Sequence, residues 1–134
     1  MKQAILLSIH PEYVKKIISG EKKFEFRKVK TRKYQPNKIF IYSTAPDSCI
    51  MAEADIVEIL EEHPDKIWSK TQKYAGIDYH FFVEYYKNKD KAIAYELDNV
   101  KEFTKPKKIE DLGLKAAPQS FVYLDNKKLK KIGR

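Results

Sequence analysis

Cysteine, glycine and histidine are scarce in this chain, and each scarcity excludes a kind of site. The single cysteine, Cys49, cannot form an internal disulfide, which is typical of a reducing compartment and predicts a cytoplasmic location. The four scattered glycines form no phosphate-cradling loop. Of the three histidines, His63 and His80 have no cysteine or carboxylate at ligand spacing. We therefore expect neither a metal centre nor a cofactor.

Long apolar runs are also missing. No segment approaches the roughly 18 unbroken apolar residues that a membrane-spanning helix needs, so no membrane partner is expected. The apolar start at 4–9 is interrupted at once by His10 and Pro11 and has no small-residue cleavage site, which favours a strand over a signal peptide. The 134 residues, 43% of them hydrophobic, fit one domain over 1–134 and leave the oligomeric state open.

The positive charge is concentrated in one segment. Between Lys15 and Lys38 there are ten Lys and Arg against two Glu, a net charge of +8, and the rest of the chain is neutral with 17 basic and 17 acidic residues. A concentrated positive field attracts phosphates, although a basic surface can also serve solubility alone. The segment therefore favours RNA or a nucleotide-like ligand as the partner.

Hydrophobic periodicity predicts a mixture of strands and helices. Strands are expected at 4–9, 22–27, 39–43, 49–60, 92–103 and 121–124, and helices at 11–19, 64–75 and 79–86. The last helix should turn Phe82, Val83 and Tyr86 inward. Since no helix joins the middle strands, a parallel sheet is excluded, and the order fits an α+β fold with a small mixed β-barrel and flanking helices.

The strand at 22–27 alternates in polarity. Phe24 and Phe26 should point into the core, which places Lys23, Glu25 and Arg27 on a charged outer face. Side chains two residues apart on a strand lie on the same face, so Glu25 can orient Arg27. The arginine can then offer its remaining donors to a phosphate or a base edge. A plain surface ion pair is the alternative.

Two stretches resemble the ASCH domain family. The first is Leu7-Ser8-Ile9-His10-Pro11-Glu12-Tyr13, and the second, after a short helix, contains Gly20-Glu21-Lys22-Lys23-Phe24-Glu25-Phe26-Arg27, a Gly-x-Lys-x-x-Glu-x-Arg pattern. Three further blocks are similar to members of the family: 41–44, 52–60 and 116–121. The resemblance implies a PUA-like β-barrel with a cleft, related to RNA-binding modules.

One departure from the family concerns catalysis. An enzymatic branch similar to this family removes the acetyl group from acetylated cytidine with Lys, Thr and Glu, and its threonine nucleophile lies three residues after the lysine. That position holds Glu25 here, and Lys23 and Phe24 supply no hydroxyl either. A carboxylate does not replace a hydroxyl nucleophile without a change of mechanism. The resemblance therefore leaves that reaction unsupported in this chain.

The candidate site combines the motif with the basic segment. Lys22, Glu25 and Arg27 would line the cleft, and His10 at the start of the helix would border it and stack on a base or titrate. Tyrosines in or near the basic segment can stack on unpaired bases, and Tyr34 is the best placed. The remaining candidates come from the basic segment and the family-like blocks: Lys23, Lys30, Arg32, Lys33, Tyr42, Ser43, Gln119 and Ser120.

Three functions remain open on the sequence. The first is binding of RNA or a nucleotide-like ligand, with the basic stretch at 28–38 holding the backbone. The second is an enzyme of ribonuclease or amidohydrolase type, with Lys22 as base or electrostatic stabiliser and Glu25 in acid–base work. The third is a protein-interaction module that docks a basic partner on the acidic stretch at 53–65. Salt dependence separates the first from the third, and turnover separates the second from both.

Overall fold

A computed structural model describes residues 3–131. Its strands are β1 (Ala4–Ile9), β2 (Phe24–Arg27), β3 (Lys38–Ser43), β4 (Cys49–Glu62), β5 (Ala92–Lys107) and β6 (Phe121–Leu124). Its helices are α1 (Pro11–Ser19), α2 (Pro64–Thr71), α3 (Tyr79–Tyr85) and α4 (Asn126–Lys131), with short 3₁₀ turns at Gln72–Tyr74 and Ile109–Leu112. The six predicted strands and three predicted helices are confirmed. Helix α4 and the second 3₁₀ turn were not predicted.

The strands form one mixed sheet in the order β2-β5-β4-β3-β1-β6. Strands β1 and β3 pair in parallel, and every other pair of neighbours is antiparallel. The long strands β4 and β5 have register shifts in their pairing, and such bulges bend a sheet. The sheet curves into a half-barrel with helices around it, which confirms the predicted α+β, PUA-like class.

An arginine on the edge strand β2 reaches the opposite end of the sheet. Arg27 donates one hydrogen bond to the Ser8 carbonyl oxygen of β1 at 2.9 Å and another to Ser120 Oγ, just before β6, at 3.2 Å. In the strand order, β2 lies at one end and the β1–β6 pair at the other. These bonds therefore bring the two ends of the curved sheet together at Arg27.

The described residues 3–131 form three buried hydrophobic clusters. The largest lies between α1 and the inner face of the sheet, where Val14 and Ile17 of α1 are almost fully buried. Gly20 caps the C-terminus of α1, and its φ of 90° is a left-handed conformation that favours glycine. The cluster under α2 and α3 buries Phe82 and Tyr86 as predicted. The inward placement of Val83 was wrong, because 46% of this residue is exposed.

Within residues 3–131, no helix has the length and apolar character needed to cross a bilayer.

Candidate functional site

A cavity of about 240 Å³ opens beside strand β2, and we call it the Lys22 pocket. Its polar lining comes from Ser8, His10, Lys22, Glu25, Arg27 and Gln119. Its apolar lining comes from Ile9, Tyr13, Phe26, Ile77, Phe81 and Tyr85. A concave site with aromatic walls and a few convergent polar groups is the usual form of a small-ligand site.

Lys22 is buried at the base of the pocket, with 3% of its surface exposed. Its ammonium group donates to the Ala75 carbonyl oxygen at 2.7 Å and lies 4.7 Å from the centroid of the Phe26 ring. Burial lowers the pKa of Lys22 to about 8, although the nearby Glu25 carboxylate raises it in part. At neutral pH a measurable fraction of this lysine is therefore a free amine.

The segment that follows α2 holds Lys22 in place. Gly76 has φ of +70°, and a Cβ atom at this position would lie 2.5–2.8 Å from the Lys22 side-chain carbons. No larger residue fits without moving the lysine. The Gly76 carbonyl oxygen also accepts a hydrogen bond from the Lys16 ammonium group at 3.1 Å. The lysine of the Gly-x-Lys motif is thus oriented by backbone that lies more than 50 positions away in sequence.

Glu25 and Arg27 form an ion pair inside the pocket. Arg27 Nε donates to Glu25 Oε2 at 3.1 Å, and the closest contact of the pair is 2.9 Å. Both side chains are largely buried, with 14% of the arginine and 10% of the glutamate side chain exposed. The pairing expected from the strand spacing is present, but the charged outer face is not, because this side of β2 lies against the pocket.

Aromatic rings of α1 and α3 form one wall of the Lys22 pocket, which we call the aromatic wall. Tyr13 of α1 and Phe81 of α3 lie 6.1 Å apart between ring centroids, and Phe81 is nearly parallel to Tyr85 at 6.4 Å. Burial raises the pKa of the Tyr13 hydroxyl, and the neighbouring carboxylates raise it further. Because 48% of Phe81 is exposed, one ring of this wall is open to a ligand.

The loop before β6 forms part of the rim of the Lys22 pocket. The Ser8 hydroxyl donates to the Pro118 carbonyl oxygen at 2.6 Å, and the Ser8 backbone N–H donates to the Ser120 carbonyl at 3.1 Å. These bonds hold Gln119 at the pocket, where it is exposed. Six candidates from the sequence therefore meet in one place: His10, Lys22, Glu25, Arg27, Gln119 and Ser120.

Four further candidates lie outside the pocket lining. Tyr34 is packed on the core and donates its hydroxyl to the Ala4 carbonyl oxygen at 2.6 Å. Tyr42 and Ser43 are buried in β3, where the serine hydroxyl donates to Asp47 at 2.7 Å. Lys23 is exposed, with its ammonium 4.4 Å from the centroid of the Tyr74 ring. The structure does not bring these four side chains to the Lys22 pocket.

The basic loop at 28–37 joins β2 to β3. Its middle is anchored by Tyr123, whose hydroxyl oxygen accepts the backbone N–H groups of Arg32 and Lys33 at 2.7 and 2.9 Å. The side chains of Arg32 and Lys33 are exposed. Lys30 instead pairs with Glu61 at 3.2 Å. The loop therefore presents the positive side chains of Arg32 and Lys33 to solvent from an anchored backbone, and Lys28 at its start is exposed as well.

The acidic stretch at 53–65 is largely neutralised within the chain. Glu53 and Asp55 both pair with Lys38, at 3.1 and 3.0 Å. Glu62 pairs with Lys70, and Glu61 is shared between Lys30 and Lys91. Charges already paired inside a protein have little left to offer a basic partner. The geometry therefore gives no support to docking on this stretch.

Most of the aromatic wall was not predicted from the sequence. Phe81 and Tyr85 are four residues apart, which places them on one side of α3. That side lies about 100° around the helix from the one that carries Phe82 and Tyr86 into the core. Apolar residues on two sides of a short helix are the signal that could have revealed this wall. The described residues contain no group of three or more metal-ligating side chains.

Comparisons with known proteins identify the family. The model of the ASCH domain matches residues 7–107. The chain belongs to the ASCH domain family. An ASCH domain-containing ribonuclease of Zymomonas mobilis is 29% identical over 72% of this chain and 64% of the relative. The ATP synthase subunit alpha of Ureaplasma parvum is 27% identical over 92% of this chain and 15% of the relative. The chain thus spans less than two thirds of either curated relative.

Solved structures of ASCH proteins share this fold. The ASCH protein of Zymomonas mobilis superposes with a TM-score of 0.87 at 25% identity, covering 96% of this chain and 92% of the other. A tyrosine-to-phenylalanine mutant of the same ASCH protein gives 0.88 at 24% identity, with 98% and 96% of the two chains covered. The shared fold therefore extends over nearly the whole of this chain.

Proposed function

We propose that this ASCH domain binds single-stranded RNA and that the Lys22 pocket receives one nucleotide. The observation that supports this most is the make-up of the pocket. An exposed ring, Phe81, lines the same cavity as a buried cluster of two cations and one carboxylate, and Gln119 lines it too. Unpaired bases are held by stacking on aromatic rings and by hydrogen bonds to their edges, which is the chemistry these groups supply.

The basic loop would hold the backbone of the strand. Arg32 and Lys33 are exposed, and their backbone N–H groups are bonded to Tyr123, so both side chains project from an anchored part of the loop. Lys28 adds a third charge, with its ammonium 4.5 Å from the centroid of Tyr85 at the pocket. Phosphate contacts of this kind position a strand without reading its sequence. A curated relative named as a ribonuclease supports RNA as the ligand.

Binding should weaken steeply as salt is added. If several phosphates are contacted, affinity for a single-stranded oligoribonucleotide should fall about 10-fold or more between 50 and 200 mM salt, because condensed counterions are released on binding. Fluorescence anisotropy with a labelled oligonucleotide measures this slope. Absence of binding at low salt, or an affinity that does not change with salt, would reject the proposal.

Charge reversal in the basic loop provides the matched test. The triple variant Lys30→Glu, Arg32→Glu, Lys33→Glu should bind RNA at least 10-fold more weakly and keep its melting temperature within a few degrees. Arg32 and Lys33 are exposed, and a partly exposed ion pair such as Lys30–Glu61 contributes only about 0–1 kcal/mol. Reversal of Lys127, Lys130 and Lys131, which are exposed on α4, changes the net charge by the same amount and is the control for net charge alone. Equal losses in both variants would show that total charge, and not the loop, drives binding.

A second candidate function is cleavage of RNA in the same pocket. The lowered pKa of Lys22 favours it, since a general base works best with a pKa near the working pH. In that reaction the neutral amine would take the proton of a ribose 2′-hydroxyl, whose oxygen attacks the adjacent phosphorus. The 5′-oxygen would leave with a proton from water and the 2′,3′-cyclic phosphate would remain. Arg27 would face the developing negative charge.

The pH dependence tests this candidate. Cleavage of an oligoribonucleotide should rise about 10-fold for each pH unit below 8 and level off above it, because the fraction of neutral Lys22 follows its pKa of about 8. Lys22→Arg should lower the rate by about 10²–10⁴-fold, since guanidinium cannot act as a base. RNA binding with no cleavage at any pH would leave the domain as a binder only.

A further inference from the structure

Helix α3 presents apolar side chains to solvent on a second side. Tyr79 is 52% exposed and Val83 is 46% exposed. At 100° per residue these two lie about 180° around the helix from Phe81 and Tyr85, which line the Lys22 pocket. Helix α3 therefore separates two cavities, and aromatic rings line both of them.

The cavity on the far side has a volume of about 290 Å³ and lies between α2 and α3. We call it the α2–α3 groove. Its wall is formed by Trp68 of α2, whose ring centroid is 5.4 Å from that of Tyr79 and 5.0 Å from that of Phe82. Trp68 is half-buried and Tyr79 is exposed, so the groove offers two ring surfaces of different depth.

The rim of the α2–α3 groove is positively charged on one side. Lys87 and Lys89 line it from the turn after α3, where Asn88 adopts φ of 64°. Within residues 3–131 neither ammonium group is paired with a carboxylate. Asp65 at the other end of the groove is the single acidic residue in its lining. Exposed rings next to unpaired cations match a ligand with a flat apolar body and an anionic backbone.

We propose that the α2–α3 groove binds a second unpaired base of the RNA strand, stacked on Tyr79 and Trp68, with Lys87 and Lys89 at its phosphates. The inference rests on the RNA function proposed for the Lys22 pocket. A strand bound at both places crosses α3, with one base on each side of the helix. The charge of the rim favours a phosphate backbone over an apolar peptide, which would leave both ammonium groups without partners.

Binding in the α2–α3 groove can be followed separately from binding in the Lys22 pocket, through the fluorescence of Trp68. Trp68 is the one tryptophan in the chain, so its fluorescence reports only on the α2–α3 groove. Titration with octaadenylate in low salt should quench this fluorescence in a saturable way, because a stacked base lies against the indole. Inorganic polyphosphate supplies the charge without bases and should leave the signal unchanged.

Removal of the exposed ring is the matching mutational test. Tyr79→Ala should weaken octaadenylate binding by roughly 5- to 100-fold, the range expected for one lost base stack. The side chain is exposed and alanine favours helix, so the fold should be preserved. Val57→Ala, which removes another exposed apolar side chain on β4, is the control and should retain wild-type affinity.

The two proposals fail in different ways. If octaadenylate binds Tyr79→Ala with wild-type affinity and leaves Trp68 fluorescence unchanged, the groove proposal is wrong and the Lys22 pocket is unaffected. If the wild-type protein binds no RNA, both are wrong. Quenching of Trp68 by polyphosphate, or by an acidic peptide without bases, would overturn base stacking and indicate another anionic partner.

Discussion

Replacement of Arg27 by alanine is expected to destabilise the protein more than any other single change in the pocket. The substitution removes the bonds to Ser8 and Ser120 that join the two ends of the sheet, and it leaves the Glu25 carboxylate buried without its partner. Breaking a buried pair in this way costs about 3–5 kcal/mol. For a chain of this length, we expect the melting temperature to fall by about 10 °C or more.

The double-mutant cycle with Glu25 shows how the cost arises. Glu25→Gln alone keeps the shape of the side chain and should cost less than Arg27→Ala. The double variant should be more stable than the sum of the two losses predicts, by about 1–3 kcal/mol, because the glutamine no longer leaves a buried charge unpaired. Thermal or urea unfolding of the four proteins measures this coupling. Additive losses would show that Glu25 does not orient Arg27.

A partly exposed ion pair serves as the control for this cycle. Lys30 and Glu61 are 3.2 Å apart, with about a third of each side chain exposed. Lys30→Ala should change stability by only about 0–1 kcal/mol. RNA affinity should be measured for the same four proteins, since an arginine oriented by Glu25 makes the two substitutions non-additive in binding as well. A cost for Lys30→Ala equal to that for Arg27→Ala would contradict the role assigned to burial.

The second large effect is an increase in stability on the alkaline side of neutrality, caused by Lys22. Its pKa in the folded protein is about 8, against 10.5 without burial, so between these values the unfolded chain binds more protons than the folded one. Stability therefore rises with pH in this window. From pH 7 to 9.5 the contribution of Lys22 amounts to about 2 kcal/mol.

Lys22→Met isolates that contribution. Methionine fills the apolar slot beside Phe26 without a titrating group, so its unfolding free energy should lack the rise seen in the wild type. The comparison stays below pH 10 because burial also raises the pKa of Tyr13 and Tyr85, which lowers stability where unfolded tyrosines ionise. Urea unfolding at pH 7, 8, 9 and 9.5 gives the two curves. Parallel curves would mean that Lys22 titrates as it does in water.

Lys22→Met also tests whether the pocket is the binding site. The variant should bind single-stranded RNA more weakly at pH 7, where most of the wild-type lysine is charged, and the difference should shrink as the pH rises past 8. Val57→Ala provides the exposed control. Equal affinity of Lys22→Met and wild type at pH 7 would remove Lys22 from the set of ligand-contacting groups.

The order of strands and helices could be predicted because it depends on local patterns. The continuous apolar run at 39–43 and the alternation at 92–103 each indicate a strand, and the apolar spacing of 11–19 with Gly20 after it indicates a helix. The inward placement of Val83 failed because α3 is apolar on several sides, and periodicity alone does not say which side meets the core. Helix α4 is short and lysine-rich, so it offered no apolar stripe beyond Leu129.

The sequence by itself determined the concentration of positive charge, the pairing of Glu25 with Arg27 and the family-like motif that includes Lys22. The tertiary structure decided which of these groups share a cavity. Lys22 is buried by the Ala75–Gly76 backbone, and Arg27 meets Ser8 and Ser120 only because the sheet curves until its two ends approach. Burial lowers the pKa of a lysine, and burial is created by distant segments, so no local pattern could have predicted it.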